Sequence, residues 1–252
     1  MIVAERRGPA LLLGLDRPGK RNALSAAMIA ELDAAVAGAR AEPCVLVLHS
    51  TTPGLFAAGA DIAELLDRTS ADMLASTFVP FLDRLEAHRW PVIAAVDGPA
   101  LGGGCELALA CDLRLASPRA RFGQPELALG IIASGGGNWR LPQAVGLPAA
   151  RRMLYTGELL DAEAALAAGL VDGVHPADGL LDAAVELAGR IAERSWRALE
   201  LTKLALRSHR PATTSFDIAA QALLFDGADK RERMGGFLAE RARRRSERER
   251  RT

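Results

Sequence analysis

Two unbroken apolar runs, Cys44-Val45-Leu46-Val47-Leu48 and Val92-Ile93-Ala94-Ala95-Val96, constrain this chain more than any other feature. A strand with one wet face alternates apolar and polar residues, so a run without alternation predicts a strand covered on both faces, as in a parallel sheet flanked by helices. The surrounding segments supply such helices. Ser25 is placed to cap a helix running to about Arg40, in which Met28, Leu32, Ala35 and Val36 recur at helical spacing before Pro43 stops it. A second helical stretch, about Ala71 to His88, lies between the two runs, and an Ala-rich helix from about Cys105 to Ala110 precedes a third buried strand, Leu113 to Ala116. Ile2 to Glu5 and Ala10 to Leu15, separated by Arg6-Arg7-Gly8-Pro9, read as an opening hairpin. Strand, loop and helix alternate, which predicts an α/β fold with mostly parallel pairing. From Pro148 onward the pattern turns helical apart from a short strand at Val171 to Val174. We therefore expect a β-rich catalytic core over 1–195 and a helical C-terminal region over 196–252.

Composition narrows the function. Lys plus Arg equal Asp plus Glu at 31 each, so no global field draws the chain to nucleic acid or a membrane surface. No apolar run has the roughly 18–20 residues of a membrane span, and Met1 to Arg7 lacks the order of a signal peptide, so a cytoplasmic location is expected. Cys44, Cys105 and Cys111 form no close pair and sit in apolar surroundings; they are expected to be reduced, buried thiols that bind no metal.

Three features sit where strands end. In Phe56-Ala57-Ala58-Gly59-Ala60-Asp61-Ile62, small residues let the backbone approach a ligand. Asp61 can cap the next helix, and a backbone N–H, best at Ala60, can face an anionic oxygen. In Ala100-Leu101-Gly102-Gly103-Gly104-Cys105-Glu106, three glycines open a helix whose first N–H groups and dipole favour negative charge. The Lys and Ser/Thr of a P-loop are missing, as is the spacing of a dinucleotide fingerprint. Glu106 in the first turn of an otherwise apolar helix is either a dipole-stabilised surface residue or a buried functional group. In Phe122-Gly123-Gln124-Pro125-Glu126-Leu127-Ala128-Leu129-Gly130, Glu126 is a lone acid, either paired with Arg121 or Arg140 or buried with a raised pKa and a part in proton transfer. Two N–H donors and two carboxylates together suit water addition beside a carbonyl. The oxygen gains charge as an enolate forms, one group deprotonates water, and a proton must reach the α-carbon. That chemistry calls for no metal and no cofactor beyond the substrate.

With these residues in place, the chain resembles the crotonase superfamily of enoyl-CoA hydratases and isomerases over nearly its whole length. The motifs are Leu15-Asp16-Arg17-Pro18 with Asn22-Ala23-Leu24, Phe56 to Asp61, Pro91 through Glu106, Ala110-Cys111-Asp112, Phe122 to Glu126, and Ala167-Ala168-Gly169-Leu170-Val171. The resemblance implies a spiral of ββα units followed by helices that build a homotrimer, often paired into a hexamer. It further implies a thioester oxyanion held by the N–H groups of Ala60 and Gly103, catalytic carboxylates at Glu106 and Glu126, and coenzyme A near Lys20, Arg21, Ala57, Ala58 and Ala60. Members with one glutamate tend toward isomerisation or other chemistry, and the presence of both here points to a 2-enoyl-CoA hydratase.

The chain departs from the family pattern after Gly130, reading Ile131-Ile132-Ala133-Ser134-Gly135 where a Pro-Gly is usual, and Asn138-Trp139-Arg140-Leu141 where Thr-Gln commonly precedes Arg-Leu. Ile132, Ala133 and Trp139 are thereby expected to border the acyl pocket, with the indole closing space that an acyl tail would use. The competing functions are double-bond isomerisation or another crotonase-type lyase reaction on a specialised acyl-CoA and, from a different class, RNA binding through the tail Arg241-Ala242-Arg243-Arg244-Arg245. Neutral overall charge and an aromatic content of 4% weigh against RNA.

Overall fold

The computed structural model describes residues 1–207, 222 and 225–250. Its opening hairpin is β1 (Ile2–Arg7) and β2 (Ala10–Leu15), followed by α1 (Ala26–Gly38), whose Ser25 cap accepts the Met28 N–H, and by β3 (Val45–Ser50). Three helices come next: α2 (Ile62–Leu66), α3 (Ser70–Leu74) and α4 (Phe78–Glu86). The single helix expected from about 71 to 88 is therefore broken near residue 76. Pro80 has no N–H, and in an unbroken helix its ring would strike the carbonyl four residues back, so the chain restarts with Pro80 in the first turn of α4.

The middle of the chain continues as β4 (Val92–Val96), β5 (Pro99–Leu101), α5 (Gly103–Leu109), β6 (Leu113–Ala116), β7 (Arg121–Gly123), a 3₁₀ turn at Glu126–Leu129 and α6 (Gly137–Thr156). It closes with β8 (Leu160–Asp161), α7 (Ala162–Ala167), β9 (Gly173–Val174), α8 (Leu180–Ala192), α9 (Trp196–Arg207) and α10 (Ala228–Glu249). The helical C-terminal region is thus present, and helix already begins at Gly137, ahead of the helical pattern expected from Pro148 onward.

The main sheet has the order β1-β2-β3-β4-β6-β9, parallel from β2 onward, and a small sheet, β5-β7-β8, stands beside it. The pleat explains the unbroken runs. Val45, Val47, Ile93 and Ala95 pack with Leu180, Ala184 and Ala188 of α8, three positions on one helical face. Leu46, Leu48, Val92, Ala94 and Val96 point the other way, into the larger core shared with α1, α4 and α5. Each fully buried Leu or Val contributes about 1.5–3 kcal/mol, so polar residues on either face would be costly.

The C-terminal helices return to the core. Lys203 on α9 donates to the Trp90 carbonyl and to Asp112, while Trp196 stacks edge-on against Trp90. On α10, buried Lys230 donates to the carbonyls of Leu65 and Arg68 at the end of α2, a cation at a helix C-terminus. Asp226 takes bonds from the N–H and hydroxyl of Ser70. These contacts fasten α10 to the segment that leaves the Ala60 turn. Among the described residues no helix is long and apolar enough to cross a membrane.

Candidate active site

One cavity of about 460 Å³ gathers the three strand-end features: Ala58, Gly59 and Ala60 from the first, Gly102, Gly103 and Glu106 from the second, Pro125 and Glu126 from the third. The local backbone explains how. The turn before α2 is clamped by Leu24, whose N–H donates to the Gly59 carbonyl and whose own carbonyl accepts from Asp61 N–H. Gly59 sits at φ +93°, and a Cβ there would stand 2.7 Å from the Leu101 carbonyl oxygen, so only glycine lets the two turns approach. Gly103 is the first residue of α5, where the N–H has no intrahelical acceptor. Among the described residues no backbone acceptor takes the N–H of either Ala60 or Gly103. A Cβ at Gly103 would lie 3.6 Å from the Ala60 nitrogen, so the two groups are neighbours.

The two carboxylates enter from opposite sides. Glu106, one turn into α5, is only 3% exposed and accepts the Gly137 N–H at 3.0 Å. It is walled in by Gly135, where a Cβ would stand 2.5 Å from Glu106 Oε2 and 2.7 Å from the Phe78 ring. The turn carrying Gly135 and Gly137 is braced by Arg140, whose guanidinium donates to the Gly135 carbonyl at 2.6 Å, to Glu86 at 2.6 Å and to Asp83 at 3.1 Å while lying 4.1 Å over the Trp139 ring. Glu126 opens the 3₁₀ turn and is half-buried in the cavity wall. Burial, and secondarily the negative charge of Glu106, hold its carboxyl well above the ordinary carboxylate range. The bland alternative for Glu126 was an arginine partner. Arg140 is committed as described, and Arg121 donates to the Pro118 and Ala120 carbonyls.

The other expected positions divide. Arg21 and Ala58 line the cavity, whereas Lys20 is exposed outside it. Ala57 is fully buried, its N–H donating to the Pro99 carbonyl and its carbonyl accepting from Leu101. Ile132 lines the wall; Ala133 and Trp139 are buried outside the lining. Sequence reasoning did not foresee Phe78, Ser134 or Phe237 on the cavity surface. Phe237 lies on α10, more than a hundred residues from the glutamates, and nothing local marks it. Nor did it foresee Gln124, though its place two residues before Glu126 was a signal. All three cysteines are free and buried, and among the described residues no cluster of three or more His, Cys, Asp or Glu is placed to hold a metal.

The backbone at Ala60 and Gly103 and the carboxylates of Glu106 and Glu126 thus line one mostly apolar cavity. The chain belongs to the enoyl-CoA hydratase/isomerase family, whose model matches residues 7–244. It is 39% identical over 248 residues to a 2,3-dehydroadipyl-CoA hydratase of Escherichia coli K12, covering 95% of this chain and 96% of that protein. It is 38% identical to a crotonyl-CoA hydratase of Syntrophomonas wolfei, covering 95% of both. A solved enoyl-CoA hydratase of Mycobacterium tuberculosis H37Rv superposes with a TM-score of 0.78 at 34% identity, covering 89% of this chain and 95% of that one.

Proposed function

We propose that this protein is an enoyl-CoA hydratase that adds water across the 2,3 double bond of an enoyl thioester without a further cofactor. The observation that carries the reading is the meeting in one cavity of Glu106 and Glu126 with two N–H donors that no backbone acceptor takes among the described residues. The Ala60 and Gly103 N–H groups receive the thioester oxygen, and because its charge grows as the enolate forms, each donor is worth roughly 2.7–4 kcal/mol in the transition state. Glu106, held by the Gly137 N–H, accepts a proton from water as its oxygen bonds to the β-carbon. Glu126, whose raised proton affinity suits a donor, delivers a proton to the α-carbon. One proton is taken and one given, so the product is the 3-hydroxyacyl thioester and the pair resets by exchange with solvent. Arg21 and Ala58 would meet the coenzyme A portion, and Ile132 the acyl chain. The family resemblance supports a homotrimer or a hexamer of paired trimers in the cytoplasm.

Loss of the conjugated absorbance with crotonyl-CoA, set beside product analysis with a 3-enoyl-CoA, tests the reading. Fast hydration of the first is expected. Double-bond migration in the second without hydration of the first would instead make the enzyme an isomerase.

A further inference from the structure

Phe78 opens α4 and is half-buried, with its ring on the cavity surface. Two glycines leave the notch that it fills. A Cβ at Gly135 would stand 2.7 Å from its Cε1 and one at Gly103 would stand 3.3 Å from its Cζ, so neighbouring atoms of a single ring edge bridge the two turns. Carbon atoms pack at about 3.5–4.0 Å, and neither turn has room for a methyl group beside the ring. These are the turns that carry the site: the same Cβ position at Gly103 lies 3.6 Å from the Ala60 nitrogen, and the one at Gly135 lies 2.5 Å from Glu106 Oε2. The ring has little freedom to retreat. Its N–H donates to the Ser76 hydroxyl at 3.3 Å, α4 buries Val79, Phe81, Leu82 and Leu85, and Arg140 ties Asp83 and Glu86 of the same helix to the Gly135 carbonyl. Pushing the ring out of the cavity therefore means moving α4 against the turn to which it is fastened.

In the hydratase reading the thioester oxygen on C1 meets the Ala60 and Gly103 N–H groups, while Glu106 serves the water that attacks C3. Between those two atoms lies C2, and the ring edge that bridges the two turns borders it. A conjugated enoyl thioester is planar, so whatever replaces the hydrogen on C2 lies in the plane of the chain and cannot rotate aside. We infer that Phe78 determines specificity by excluding a branch at C2: the cavity takes 2-enoyl thioesters whose C2 carries hydrogen and rejects their 2-methyl counterparts. One methyl group that a packed pocket cannot accommodate is worth about 10- to 200-fold in discrimination. The placing of the ring at C2 rests on the hydratase reading; the crowding beside Gly103 and Gly135 does not.

The test starts with binding, which needs no turnover. Calorimetric titration of the native protein should show racemic 2-methylbutyryl-CoA binding at least about tenfold more weakly than butyryl-CoA. In Phe78→Val, which withdraws the ring edge, that gap should largely close. Phe78→Leu should leave an intermediate gap and serves if the valine variant does not fold. In turnover, the ratio of kcat/KM for crotonyl-CoA over 2-methylcrotonyl-CoA should fall by about tenfold from the native protein to Phe78→Val. Comparing the ratio between proteins cancels the effect of the methyl group on the reactivity of the double bond. A native protein that binds both saturated thioesters alike, or an equal gap in the native protein and a folded variant, overturns the proposal. A native protein whose gap closes on substitution yet which hydrates no crotonyl-CoA would overturn the hydratase reading alone.

Discussion

The walls around the two glutamates are built on opposite principles. Glu106 sits in regular helix against a turn that is itself cross-braced: Gly137 donates to it, Gly135 presses on it, and Arg140 ties that turn to Glu86 and Asp83 on α4. Glu126 rises from a short 3₁₀ turn, open to the cavity on one side, with the buried Gln124 amide 2.9 and 3.1 Å from its two carboxylate oxygens. In the hydratase reading proposed above, two groups of one chemical type take different tasks because one is held by a backbone N–H and the other lies where its neutral form is favoured. The contrast ties the proposed acceptor and donor roles to position in the fold more than to residue identity.

The hardest way to break the contrast is to neutralise its rigid half. Glu106→Gln keeps shape and removes the proton acceptor, so crotonyl-CoA hydration should fall by about 10²- to 10⁴-fold while thioester binding persists. An unchanged rate would remove Glu106 from the chemistry. Gly135→Ala attacks the same half by geometry, because the new methyl must displace the Glu106 carboxylate or Phe78. A misplacement near 1 Å can cost roughly 10²-fold, and kcat should bear the loss.

Reading the sequence alone captured the rigid parts better than the open ones. The runs at 44–48 and 92–96 announced β3 and β4 because two-faced burial leaves no polar position, and Ser25 announced its cap. Ala60, Gly103, Glu106 and Glu126 stood out because small residues and acids are conspicuous in apolar surroundings, and all four meet in the cavity. What stayed hidden depended on direction. Trp139 looked like a pocket residue from its neighbours in sequence, yet the turn of α6 aims its ring under Arg140. The start of α6 was hidden by Gly135-Gly136-Gly137 and by the interruptions at Pro142, Gly146 and Pro148, where Gly146 leaves helical geometry. Phe237 reaches the cavity only because Lys230 and Asp226 fasten α10 to α2 and α3, a tertiary fact with no local signature.

Two smaller effects sharpen the comparison through stability. Arg140→Met strips the cation from Asp83 and Glu86 and the donor from the Gly135 carbonyl. Since those acids are partly exposed, the loss should be about 2–3 kcal/mol in urea unfolding, below that of a fully buried pair. Glu126→Gln should do the reverse. With its folded midpoint above the unfolded one, the native state binds more protons between the two, so this carboxyl makes stability fall as pH rises from the unfolded midpoint to the folded one. Replacing it should raise stability at the upper end of that window by about 1 kcal/mol or more, with little change below pH 4. An equal effect at both pH values would show that Glu126 is not held in its neutral form.

The division of labour itself is tested by α-proton exchange in butyryl-CoA, which has no double bond to hydrate, followed in D₂O by proton NMR with wild type, Glu106→Gln and Glu126→Gln. If Glu126 exchanges the α-proton and Glu106 serves water, hydration of crotonyl-CoA should be lost in both variants, but exchange should be lost only in Glu126→Gln and retained in Glu106→Gln. Exchange that continues undiminished without the Glu126 carboxylate, or that disappears only with Glu106, would contradict the assignment.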